Sequence, residues 1–109
     1  MASILMVLIT SPASPAGQRA LAMVESLVDQ GHVLTLCCLQ DAALLASDRA
    51  PRDARETLGR LLVRGARCGV LGQDLACRGL KPSDPASTID HAGVVALLAA
   101  GHDRVIGAL

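Results

Sequence analysis

Three times in this chain a glycine stands between an amphipathic stretch and a short apolar run, at Gly31, Gly65 and Gly101. Glycine adopts the left-handed backbone that closes a helix. A strand that starts within three residues of that stop makes the short connection typical of βαβ units. Helices and strands therefore alternate. That alternation implies a parallel sheet with helices on both faces, joined by right-handed crossovers. The expected class is α/β: a three-layer α/β/α domain, flavodoxin-like in its layering, around a mostly parallel sheet of four to five strands.

The elements can be placed in turn. Ala2 to Thr10 is largely apolar, as suits a strand covered on both faces. Ser14 and Pro15 form an N-cap and first-turn pair. They open a helix to about Gln30, with Leu21, Val24, Leu27 and Val28 as its apolar stripe. Val33 to Leu39 reads as a second strand, Ala42 to Ala46 as a short helix, and Pro51 to Arg64 as a longer helix. Arg67 to Leu71 is a third strand, followed by a short helix or turn from Gln73 to Arg78. Lys81 to Ser87 is a loop containing Pro82 and Pro85, and Thr88 to Asp90 a brief strand. His91 to Ala100 is a helix expected to hold Val94, Val95, Leu97 and Leu98 inside. Arg104 to Ala108 is the last strand.

Composition narrows the function. A length of 109 residues suits one domain over residues 1–109. Ten basic residues balance ten acidic ones, so no surplus exists for phosphate, and nucleic acid is not expected as a direct partner. The chain has no Phe, Tyr or Trp, hence no aromatic platform for stacking a base. The apolar run Ile4 to Ile9 has no basic residue before it, unlike a secretory leader, and is too short to span a bilayer. A cytoplasmic protein without membrane contact is expected, and its four cysteines are expected to be reduced.

Ligands of open parallel sheets bind at the carboxyl ends of the strands. That rule selects Ser11 to Gln18, Cys38 to Ala42, Leu71 to Asp74, and Ile89 to His91. Ser11, Ser14 and Gln18 stand where a helix entry could receive an anion, or simply cap the helix. Asp41 could serve as a base or as a cap. Cys37 and Cys38 point to opposite faces of a strand, and Cys38 is nearer the strand end. Cys68 reads as core. Cys77 lies in a more polar segment with Asp74 and Arg78. An adjacent cation favours a thiolate, while a helix C-terminus opposes it. Cys38 and Cys77 are the candidate reactive thiols. Asp41, Asp74 and Arg78 join Ser11, Ser14 and Gln18 as candidate ligand contacts. The cysteine spacings lack the paired knuckles of a structural zinc site, so no metal is expected. His32, His91 and His102 stand singly.

Several segments resemble the DsrE/DsrF/DsrH-like (TusB/TusC/TusD) sulfur-relay family. They are Leu39-Gln40-Asp41 after the second strand, Ser11-Pro12 with Arg19-Ala20-Leu21, and Gln30-Gly31-His32. Val70-Leu71-Gly72-Gln73-Asp74-Leu75 with Arg78-Gly79-Leu80, then Ile89-Asp90 and Arg104-Val105-Ile106, is most similar to the DsrH/TusB branch. The resemblance covers nearly the whole chain. It implies a parallel-sheet domain, assembly with homologous subunits or itself into trimers or hexamers, and persulfide transfer between donor and acceptor proteins without a cofactor. The pathway would be sulfur oxidation or tRNA thiolation. Carrier branches keep their acceptor cysteine just after the third strand. Here that stretch is Leu71-Gly72-Gln73, with Cys68 earlier and Cys77 later. The chain is thus expected to be a sulfurtransferase component or a supporting subunit. The alternatives are a small-ligand or anion-binding module and a non-catalytic assembly subunit.

Overall fold

The computed structural model describes residues 1–83 and 86–108. Pro85, expected in the loop before the brief strand, lies outside the described residues. The elements are β1 (Ser3–Leu8), α1 (Pro15–Asp29), β2 (Val33–Cys38), a 3₁₀ helix (Gln40–Ala46), α2 (Arg52–Val63) and β3 (Arg67–Leu71). They continue with α3 (Gly72–Cys77), β4 (Ser87–Ile89), α4 (His91–Leu98) and β5 (Arg104–Ala108). β3 and β5 match their expected bounds. β1 is shorter than expected at its end, because the backbone turns after Leu8 to cap α1.

Among the described residues the strands form one five-stranded sheet in the order β4-β3-β2-β1-β5. Every strand pair is parallel. Within the three-layer architecture this order is not that of a flavodoxin, whose first strand lies between the second and third. Here β1 lies between β2 and β5. The order explains the layers. Right-handed crossovers that step one way put their helices on one face, and a crossover that steps back puts its helix on the other. β1 to β4 step one way, with α1, α2 and α3 on that side. Only α4 covers the return to β5.

The two faces are therefore unequal. On the three-helix face, Ile4, Met6, Leu8, Leu34, Leu36, Cys38, Cys68 and Val70 meet Leu21, Val24 and Val28 of α1 and Leu58 and Leu61 of α2 in a continuous core. The α1 stripe matches its expected spacing, with Leu27 packed at the margin, where Leu62 of α2 packs as well. On the other face, Leu97 of α4 lies against Gly69 of β3. The expectation that Val94, Val95, Leu97 and Leu98 lie inside is corrected. No residue of α4 is fully buried; Val95 is 63% and Leu98 49% exposed. α4 is apolar all round but has one neighbouring layer, so one side faces outward. Val105 and Val33 add to this exposed apolar face.

The glycine stops behave as expected. Gly31, Gly65 and Gly101 have φ of 91°, 95° and 80°, the left-handed region that side chains with a Cβ avoid.

Candidate functional site

The carboxyl ends of β2 and β3 are joined by a strap of polar side chains. Leu39 leaves β2, and Gln40 turns sharply with φ of 52° into the 3₁₀ helix. The Gln40 N–H donates to the Asp74 carboxylate at 2.6 Å. Arg78, one helical turn after Asp74, donates through Nε and Nη2 to Asp41 Oδ1, each at 3.2 Å. It also donates to the Asp74 carbonyl at 3.1 Å. The structure thus brings together Asp41, Asp74 and Arg78, three of the residues selected from sequence. They satisfy one another. The guanidinium is occupied by carboxylates and is not a free anion receptor, so the group fixes α3 against the loop after β2.

Ser11, Ser14 and Gln18 stand elsewhere, at the start of α1. Ser14 Oγ accepts the Gly17 N–H at 3.0 Å and donates to the Ser11 carbonyl at 2.6 Å. The hydroxyl of the cap is therefore engaged by the chain itself. Gln18 is exposed on α1. These three residues do not share a site with the strap.

Beside the strap, a cleft opens over the ends of β3 and β4. Its volume is ≈ 630 Å³, and its lining includes Gly72, Gln73, Thr88, Asp90, His91 and Gly93. Two glycines permit its shape. A Cβ on Gly72 would lie 2.8 Å from Thr88 Cγ2, and one on Gly93 would lie 2.9 Å from Ile89 Cβ. The Asp90 carboxylate accepts the Gly93 N–H at 2.7 Å and caps α4. Gln73 and His91 are exposed here. Both segments are strand ends selected from sequence, but Gln73, Thr88 and His91 are not among the candidate ligand contacts. The strand-end rule was the available signal, and the pairing of β3 with β4 was what it lacked.

The four cysteines separate sharply. Cys77 is exposed at the end of α3, while Cys37, Cys38 and Cys68 are buried. Cys38 is the correction. It was selected for its closeness to a strand end, yet it is 0% exposed. The 3₁₀ helix folds back over that end, with Ala42, Ala43 and Ala46 buried in the same core. Cys38 Sγ lies 3.8 Å from Cys68 Sγ. The hydrogen bond to Cys68, together with burial, holds the Cys38 thiol well above its ordinary range. The same bond draws Cys68 downward against its own burial. Cys37, on the opposite face, is raised by burial and then by the nearby Cys68.

These shifts predict alkaline sensitivity. Unfolded thiols ionise around the ordinary value of 9.0, whereas Cys37 and Cys38 remain neutral in the fold beyond it. The unfolded chain loses those protons first, so their contribution to stability, present below that pH, declines as pH rises through and above it; Cys68, drawn downward, works the other way and offsets part of the decline. Urea midpoints at about pH 8 and about pH 10 measure the decline. Cys37→Ala should reduce the difference between them. A midpoint unchanged across that interval would contradict the assignment.

His32 and His102 both secure the start of β1. His32 Nδ1 accepts the Ala2 N–H at 3.0 Å, and His102 Nδ1 shares a hydrogen bond with Ser3 Oγ at 3.0 Å. Among the described residues, no group of three or more His, Cys, Asp or Glu is placed to hold a metal ion. No helix among them is long and apolar enough to cross a membrane.

No protein-family model matches the sequence, and no curated protein matches it either. Solved structures do resemble the fold. The YchN protein of E. coli superposes with a TM-score of 0.81 at 19% identity, covering 98% of this chain and 99% of its own. MTH1491 of Methanobacterium thermoautotrophicum, a protein of unknown function, superposes with a TM-score of 0.78 at 11% identity, covering 96% of this chain and 98% of its own. Likeness at these identities establishes the architecture alone: the chain has the fold seen in YchN and MTH1491.

Proposed function

We propose that this chain is a subunit of a cytoplasmic sulfur relay of the DsrH/TusB kind, in which Cys77 receives a persulfide sulfur and passes it on. The observation that carries this reading is the exposure of Cys77 alone among the four cysteines. It stands on a DsrE-like fold, at the far end of the short helix that follows β3. Transfer between proteins needs a thiol that another protein's thiolate can reach, and buried cysteines fail that requirement. The chemistry asks for no metal or organic cofactor. The Cys77 thiolate attacks the outer sulfur of the donor persulfide, and the donor leaves as a thiolate.

The exposed apolar side of α4 fits the second part of the reading, association with homologous subunits or further copies into a trimer or hexamer. A helix apolar on all sides is normally covered on all sides.

Incubation with a cysteine desulfurase and cysteine, followed by intact-mass measurement, tests the carrier role. A one-sulfur adduct should form and should disappear in Cys77→Ser. Absence of any adduct overturns the carrier role and leaves an assembly subunit. Size-exclusion chromatography with light scattering tests that role, and a strict monomer that binds no homologous subunit overturns it. The cleft of ≈ 630 Å³ favours a second reading, a small-ligand or anion-binding module. A thermal-shift screen of nucleotides and oxyanions addresses it, and a flat response removes it.

A further inference from the structure

Two thiols that this role leaves unused meet inside the molecule. Cys38 and Cys68 lie on neighbouring strands and point to the same face, with sulfurs 3.8 Å apart. They are not directly opposite: Cys68 is in register with Leu36, and Cys38 with Val70. Two residues of offset, at roughly 3.3 Å each across strands roughly 4.8 Å apart, separate the α-carbons by about 8 Å. A disulfide spans at most about 7 Å. The strands therefore hold the pair as a hydrogen-bonded dithiol.

Access to the pair is one-sided. Cys38 is 0% exposed and Cys68 5%. β4 pairs with β3 only from Gly69 onward, which leaves the edge of β3 uncovered at Arg67 and Cys68. A cleft of ≈ 300 Å³ opens there, its lining including Cys68, Leu62, Ala66, Arg67, Ile89 and Leu97. That volume equals about ten water molecules, room for a small thiol but not for a protein loop.

We infer that Cys68 is a second sulfur-accepting thiol, loaded by a low-molecular-weight persulfide through this cleft, with Cys38 positioning and supporting it by hydrogen bond. The inference rests on the sulfur-relay reading but assigns a different atom and a different kind of donor. In the step, the Cys68 thiolate attacks the outer sulfur of R–S–SH. A sulfur–sulfur bond forms at Cys68, and the donor's sulfur–sulfur bond breaks. The donor leaves as RS⁻ and takes a proton from water. One neutral sulfur atom moves, the donor is reduced to a thiol, and Cys68 is oxidised to a persulfide, so no external oxidant is required. The Cys38 S–H donates to the Cys68 sulfur and stabilises its anionic state, the same contact that draws the Cys68 thiol down and pushes the Cys38 thiol up.

The test treats the full chain with glutathione persulfide, caps all thiols and persulfides by alkylation, and maps the extra sulfur by peptide mass spectrometry. The extra sulfur should sit on the Cys68 peptide in the unmodified chain and in Cys77→Ser. Cys38→Ala should slow loading of Cys68 about tenfold, the loss of one hydrogen bond to an anionic sulfur. Cys38→Ser, which retains a donor in place, should restore most of the rate. Extra sulfur on the Cys77 peptide alone overturns this inference and preserves the relay reading. No extra sulfur on either peptide overturns this inference, and if the cysteine desulfurase also leaves Cys77 unloaded, the carrier role falls with it. Because the map is read on the unmodified chain, it holds even if a variant fails to fold.

Discussion

Gly17→Ala is expected to lower the melting temperature by roughly 15 °C, equivalent to about 3–4 kcal/mol in a chain of this size. Gly17 sits in the first turn of α1, where alanine would ordinarily improve a helix by about 1 kcal/mol. The surroundings reverse that sign. A Cβ at Gly17 would lie 1.9 Å from the Ser11 carbonyl oxygen and 2.6 Å from its carbon. Those atoms have little freedom to retreat, because the same carbonyl accepts from the Ser14 N–H at 3.0 Å and from Ser14 Oγ at 2.6 Å. Either the cap opens or α1 shifts off the sheet. Gly59→Ala is the matched control. It lies in α2 with nothing within 4 Å of the added atom, and it should raise stability by about 0.5–1 kcal/mol. Thermal unfolding followed by circular dichroism reads both, and equal melting temperatures for the two variants would refute the clash.

Alkylation should divide the cysteines by orders of magnitude. With iodoacetamide under native conditions, Cys77 is expected to react at least ~10³ times faster than Cys37 or Cys38. Those two must await an opening of the core, and core openings approach the free energy of global unfolding. Cys68, at its cleft, should fall between. In denaturant all four should react at similar rates. Time-resolved peptide mapping reads each site separately, and comparable native rates for Cys38 and Cys77 would show that the strand end is open after all.

Local signals account for what the sequence disclosed. β1 and β2 are short apolar runs, and each glycine stop needed only its own backbone conformation, so β3 and β5 could be bounded to the residue. The Ser14–Pro15 entry likewise depends on neighbours. The site was less legible because its contacts are distant in sequence. Arg78 meets Asp41 across 37 residues, and Cys38 meets Cys68 across 30. Those meetings follow from β2 lying beside β3, and strand order is not written in hydrophobic periodicity. The exposed side of α4 was misjudged for the same reason. Apolar residues all round a helix signal burial, but only the order of strands reveals that this helix has a face of the sheet to itself.

That order also sets the sequence of events during synthesis. β1 is made before the other four strands of the sheet, yet its partner on one side is β5, with Ile4 paired to Arg104 across 100 residues. Loop closure over such a span is slow compared with the hairpin-length contacts of local folds. A nascent chain carrying β1 to β4 can already assemble the three-helix face. Until β5 emerges it presents the naked edge of β1, and until α4 docks it leaves Leu5 and Cys37 uncovered. The partly made protein thus shows a naked strand edge that the finished sheet covers with β5, which makes the ribosome-bound stage the one most in need of chaperone protection.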